Sequence, residues 1–264
     1  MFAPRAEMGQ GVKTTWAALI AEELDVDLDQ VRVLHGPAAA AYYNSAFVAD
    51  GLPGKGYDTS DFMHNLGEAL GVLGKPLSLH ATGGSTSMKA GCIRMREAGA
   101  SARETLKQTA AAQLGVDRDQ LKTQAGHVIA PDGSKIPYGD LAAAAAHVDP
   151  IETELRDPAT WTKLGQSLPR IDMVEKVTGT AEFAIDVRLP GMKFATVRRN
   201  PKLGGTMVSF DDSAAKSMAG VEKIVDTGDG IAVIASNTWL AIQAAEAVEI
   251  TWQDAPYPTE TAAI

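Results

Sequence analysis

Cysteine is almost absent: Cys92 stands alone among 264 residues. That excludes an internal disulfide and any zinc or iron–sulfur site built from several cysteines of this chain. No run of about 18 apolar residues occurs, so no stretch reads as a membrane-spanning helix. No basic-then-apolar segment opens the chain, so no export signal is visible. Basic charge is in deficit, with 24 Lys and Arg against 33 Asp and Glu, a formal net charge of -9. Phosphate backbones are bound by basic faces, so a nucleic-acid partner is disfavoured. Neither a GxxxxGK[ST] loop nor a GxGxxG fingerprint is present, and the histidines at 35, 64, 80, 127 and 147 form no HExxH pair. No Gly-x-Ser-x-Gly elbow occurs. Cys92 reads as a small apolar residue of a helix.

What is present is the texture of a globular chain, 45% hydrophobic and 22% charged. Trp16, Leu19, Ile20 and Leu24 recur at helical spacing and predict a helix over 13–24. "VRVLHG" alternates like a half-buried strand. The stretch 35–58, rich in Gly, Pro and Ala, reads as a long irregular loop, and such loops are usually functional. "LSLH" predicts a short strand before a glycine turn. A long helix is expected over 87–114, with Ile93, Ala102, Leu106 and Leu114 on one stripe and Gly115 as its stop. "KIPYGDLAAAAA" reads as a turn and an alanine-rich helix. Three prolines and lost periodicity over 148–170 suggest a surface linker. Beyond it "TAEFAIDV", "KFATVRR", "GTMVSFDD", "VEKIV", "GIAVIAS" and "EITW" read as strands. "DSAAKSMAG", capped by Asp211 or Asp212, and "TWLAIQAAEAV" read as helices. The order of elements suggests α+β architecture. Domains are expected at 1–147 and 171–254, with a tail at 255–264.

Two glycine loops carry the chemistry. "EMGQG" places Gly9, Gln10 and Gly11 before the first helix, and "TGGSTS" places Thr82, Gly83, Gly84, Ser85, Thr86 and Ser87 before the long one. A helix N-terminus presents unpaired N–H groups and partial positive charge, which suits a phosphate or pyrophosphate. Glycine admits a ligand close to the backbone. The plainer alternative is ordinary capping by hydroxyl residues. Glu7 beside the first loop could serve as a general base, but an orienting or ion-paired carboxylate is the stronger reading.

In combination the stretches are more specific. "PRAEMGQGVKTTWAALIAEELDVDLDQVRV", "GPAAAAYYN", "TGGSTSMK" and "REAGASARETL" resemble the molybdopterin-binding large subunit of the xanthine oxidase and aldehyde oxidoreductase family. Their order resembles the branch that includes isoquinoline 1-oxidoreductase and the membrane-bound bacterial aldehyde dehydrogenases. "PRIDMVEKVTGTAEFAIDVRLPGMKFATVRRNP" resembles the opening of that family's a/b hammerhead domain. The resemblance implies part of a molybdenum-cofactor-binding domain followed by a hammerhead domain.

It further implies that Gly9, Gln10 and Gly11, with Thr82, Gly83, Gly84, Ser85, Thr86 and Ser87, hold a molybdopterin, the cytosine dinucleotide form being one option. The family reaction is hydroxylation of an aldehyde or N-heteroaromatic with water as the oxygen source, assisted by a glutamate base. Electrons leave to iron–sulfur clusters of a small partner subunit, with a cytochrome c as a candidate acceptor. The parent enzyme is expected to be periplasmic or membrane-associated. The family's catalytic glutamate and a further glycine-rich cofactor loop have no match in this sequence. No catalytic residue and no metal ligand is therefore assigned. The chain reads as a fragment that needs the rest of a large subunit and is inactive alone. Two rival readings remain: a scaffold without cofactor, and a binder of a phosphate ligand.

Overall fold

The computed structural model describes residues 1–37, 39–52 and 60–258. The chain forms two compact units, 1–181 and 182–264. The first is mostly helical. A short strand β1 (Phe2–Ala3) leads into α1 (Val12–Leu24), and β2 (Leu34–His35) returns to pair with β1 in parallel. Small helices α2 (Ser45–Ala49) and α3 (Asp61–Gly71) precede the long α4 (Thr86–Leu114). The meander β3 (Lys122–Gln124), β4 (His127–Ile129) and β5 (Lys135–Pro137) follows, then α5 (Tyr138–Ala145) and α6 (Met173–Thr178).

α1 lies against α4 because α4 is small where α1 is large. A Cβ added at Gly91 would meet the Trp16 ring at 2.7 Å, and one at Gly99 would meet the Ile20 carbonyl at 2.8 Å. Trp16 is buried with Ala3, Val12 and Leu19, and Met88, Cys92 and Met95 of α4 pack against this cluster. A second cluster gathers Ala110, Ala111, Leu121, Val128 and Leu141 beneath the meander. The stripe expected on α4 is therefore largely wrong. Ile93, Ala102 and Leu114 are exposed, and only Leu106 packs against a core cluster. The buried face of α4 is made of small residues and of ion-paired Arg96, Arg103 and Glu104, which a hydrophobic periodicity does not register.

The two adjacent carboxylates near the end of α1 are fully buried and act as anchors. Glu22 accepts backbone N–H groups of Thr162, Lys163 and Leu164 at 2.6–3.1 Å. Glu23 accepts from the Arg156 N–H and pairs with Arg96 and Arg103. The stretch 148–170 thus belongs to the first unit and is strapped onto α1 by main-chain hydrogen bonds. The unit closes at Ala181.

The second unit carries a sheet of β6 (Phe194–Arg199), β9 (Gly230–Ala235) and β8 (Val221–Asp226), antiparallel in that spatial order. A separate pair joins β7 (Met207–Asp211) to β10 (Glu249–Trp252). Helices α7 (Ser213–Lys216) and α8 (Thr238–Ala247) close a core of Ala215, Ile231, Val233, Ala244, Ala245 and Val248. These elements agree with the sequence reading. "TAEFAIDV" does not: Phe183, Ile185 and Val187 are exposed, and 184–186 form one tight turn. Asp186 accepts the Phe183 N–H at 3.0 Å, a local bond that competes with a strand ladder. "LSLH" forms no strand either, and in "VRVLHG" only Leu34–His35 is paired. Within 35–58 the chain winds a turn at 40–42 and α2 where a loop was expected, while 53–59 lie outside the described residues.

Candidate cofactor site

The first loop is built around one carboxylate. Glu7 Oε1 accepts the N–H groups of Gly9 at 2.9 Å and Gly11 at 3.0 Å, and Oε2 accepts that of Lys13 at 3.1 Å. The carboxylate thereby caps α1, whose N-cap residue Gly11 has no side chain to do so. Burial pushes the Glu7 carboxyl up, but the three N–H donors outweigh it and hold it below the usual glutamate range. Gly9 and Gly11 have φ of 107° and 84°, a region in which a side chain is strained. Glu7 is thus the orienting carboxylate, and the start of α1 is filled by the chain's own anion.

Gln10 is exposed at the tip of this loop. Its amide closes on the loop itself, accepting the Met8 N–H at 2.6 Å and donating to the Ala6 carbonyl at 2.8 Å. Arg170 grips the same loop from outside, donating to the Gly9 carbonyl at 2.6 Å and to Glu7 at 3.2 Å. Asp172 holds the other edge of that guanidinium at 2.9–3.0 Å. The hydrogen bond from Arg170, against the opposing effect of burial, keeps the Asp172 carboxyl far below its usual range.

A hydrogen bond ties the second loop to the first. The N–H of Ala6 donates to Thr82 Oγ1 at 3.0 Å. Gly83, Gly84 and Ser85 then lie exposed, while Thr86 and Ser87 are buried. Ser85 is the N-cap of α4 in a left-handed conformation, φ 58°, and makes no side-chain cap. Thr86 works structurally, donating to the Gly83 carbonyl at 2.6 Å and accepting from Asn44 Nδ2 at 2.8 Å. Asn44 is fully buried and also donates to the Ala81 carbonyl, so it props the loop from below. Arg5 is buried nearby on carbonyls of Pro4, Tyr42 and Tyr43, and burial, together with the Arg94 charge, lowers its pKa.

The structure thus brings both predicted loops together, with Gly9, Gln10, Gly83, Gly84 and Ser85 on the exposed side. Sequence reasoning missed Arg170, Asn44 and Arg5. Arg170 had a signal, since it sits in the quoted "PRID" stretch, but nothing in its spacing points to Glu7. Among the described residues no group of three or more His, Cys, Asp or Glu could hold a metal ion. No helix of the described residues is long and apolar enough to cross a membrane.

The chain has known relatives, although no family model matches it. It is 28% identical over 96% of its length to a nicotinate dehydrogenase component of Pseudomonas putida, covering 19% of that protein. It is 28% identical, also over 96%, to the isoquinoline 1-oxidoreductase beta chain of Brevundimonas diminuta, covering 33% of it. It is 27% identical over 94% to a membrane-bound aldehyde dehydrogenase (pyrroloquinoline-quinone) of Gluconacetobacter polyoxogenes, covering 29%. The chain therefore spans about a fifth to a third of the length of the curated relatives it matches. The chain is thus similar, over nearly its whole length, to oxidoreductase subunits of the kind expected for the xanthine oxidase and aldehyde oxidoreductase family.

Proposed function

We propose that this chain supplies one wall of the molybdopterin site in the large subunit of a molybdenum hydroxylase. The observation that carries the reading is the bond from Ala6 to Thr82, which sets the two glycine loops side by side with their bare backbones outward. The residues fit a large polar cofactor. A Cβ added at Gly9, Gly11 or Gly83 would meet nothing within 4 Å, so a ligand can approach the main chain there. Ser85 makes no side-chain cap at the start of α4, and although the N–H groups of Thr86 and Met88 turn back onto the Gly83 and Ser85 carbonyls, the exposed backbone of Gly83 to Ser85 leaves room for an anionic tail beside that helix end. At α1 that role is taken by Glu7, so the first loop would hold the cofactor through Gln10 and the carbonyls and amides around it, not through the helix end. A simple binder of phosphate at both helix starts is disfavoured for the same reason.

When bound, the cofactor supplies a redox-active metal that takes up the substrate's electrons. The chain's own part is to bind and orient. Gln10 can turn its amide from Met8 and Ala6 to the cofactor, Gly83 to Ser85 line it, and Asn44 and Thr86 keep their loop rigid. The substrate class is an aldehyde or N-heteroaromatic, with water as the oxygen source. Electrons pass to iron–sulfur clusters of a partner subunit. Catalytic groups come from elsewhere in the large subunit.

The test is to purify the protein with its iron–sulfur partner and the remaining large-subunit segments, then assay molybdenum, pterin and pyrroloquinoline quinone. Molybdenum with pterin supports the reading. Quinone in their place, or neither, refutes it. The chain by itself is expected to hold molybdenum far below stoichiometry, because only two loops of the site are present.

A further inference from the structure

We propose that Arg170 is a positioning residue for the first glycine loop, a clamp by which the strap over α1 sets the shape of the cofactor wall. The inference rests on the reading of that loop given above. Its evidence is the closure of the loop from two sides. Inside, Glu7 gathers the N–H groups of Gly9, Gly11 and Lys13. Outside, the planar guanidinium of Arg170 spans the Gly9 carbonyl and Glu7 Oε1 at once, which fixes the peptide between them. Asp172 takes the remaining edge of the fork, and Lys176 in turn pairs with Asp172. The neighbouring Ile171 N–H donates to the buried Thr14 on α1 at 3.1 Å, so the strap is registered where Arg170 reaches over.

The strap is also tied at Glu22 and Glu23, far from the loop, and its Arg156 pairs with Asp25 at 3.2 Å. Those ties secure the segment without touching Gly9 or Glu7. Arg170 alone among the strap's described side chains carries the connection to the loop. The two left-handed glycines and the exposed glutamine have no apolar core beneath them; Glu7 and the bonds of Gln10 hold them from within, and Arg170 braces them from outside.

The experiment is per-residue amide hydrogen exchange on the metal-free chain, with the thermal midpoint recorded alongside. Arg170→Gln is expected to raise exchange at Gly9, Gly11 and Lys13 by about tenfold, as for loss of a charge-assisted bond. Exchange at Ala17 and Ala18 should not change. Arg170→Lys keeps the charge without the fork and should raise the same three amides by a smaller factor, about threefold. It also carries the test if Arg170→Gln does not fold. Arg156→Gln loses a strap anchor away from the loop and should leave the three amides as in the parent. No rise in Arg170→Gln or Arg170→Lys overturns the proposal, and so does an equal rise in Arg156→Gln. Because the exchange measurement involves no cofactor, a clamp that behaves as expected, together with an assembled enzyme that takes up no molybdopterin, would sink the functional reading and leave the clamp standing.

Discussion

The Ala6 N–H donates to Thr82 Oγ1 at 3.0 Å across 76 positions of chain, and the two glycine loops meet through that bond. Thr82→Ser keeps the acceptor and should behave as the parent. Thr82→Val keeps the shape and loses the acceptor. Because Ala6 is exposed, water can replace the lost partner, so stability should fall by no more than about 1 kcal/mol. Cofactor retention in the assembled enzyme should fall further than stability does. Equal retention in both variants would mean that loop alignment does not depend on this contact.

Gly91 and Gly99 test the packing of α1 on α4. Gly91→Ala drives a methyl into the Trp16 ring at 2.7 Å, and the helices must part or Trp16 must turn. A loss of about 1–3 kcal/mol is expected, as for overpacked cores. It should come with a change in the near-ultraviolet signal of the tryptophans. Gly99→Ala meets the Ile20 carbonyl and should cost at least as much. A midpoint like the parent's in both variants would contradict the close approach described here.

Glu7 gives a dependence on pH. Its folded pKa is depressed, so its contribution is present above the ordinary glutamate value, about 4.3, and is lost as pH falls through the lower folded value. The stability difference between the parent and Glu7→Gln should therefore be constant at neutral pH and shrink below about pH 4.3. Urea titrations at several pH values measure it. A difference that grows on acidification would show that Glu7 is not held as a carboxylate by the loop.

Much of this was legible in the sequence, and the part that was not has physical reasons. α1 and α4 begin within a residue of their expected starts, because Gly11 and the Gly84–Ser85 turn are local stop signals. The strands of the second unit were readable from their alternation. The strap partners of Glu7, Glu22 and Glu23 were not, since they lie more than 130 positions away and main-chain N–H donors leave no trace in residue identity. Ile93 and Leu114 misled for the opposite reason: an apolar period was present, while α4 packs through Gly91 and Gly99, which periodicity counts as neutral. Gln10 was singled out as a cofactor-binding residue of the loop; its bonds to Met8 and Ala6 could not be foreseen.

Gly83→Ala and Gln10→Ala, made in the protein together with its large-subunit remainder and iron–sulfur partner, test the central claim most directly. Gly83 is exposed, has no left-handed φ and leaves 4 Å of open space around an added methyl, so Gly83→Ala should fold as the parent does. Gln10→Ala removes only loop contacts at the surface and should cost about 1 kcal/mol or less. If the two loops form a wall of the molybdopterin site, molybdenum and pterin content will be stoichiometric in the parent and fall severalfold in both variants, with the thermal midpoint unchanged in Gly83→Ala and lowered by no more than a few degrees (~1 kcal/mol) in Gln10→Ala. Full molybdenum and pterin content in both variants would contradict it.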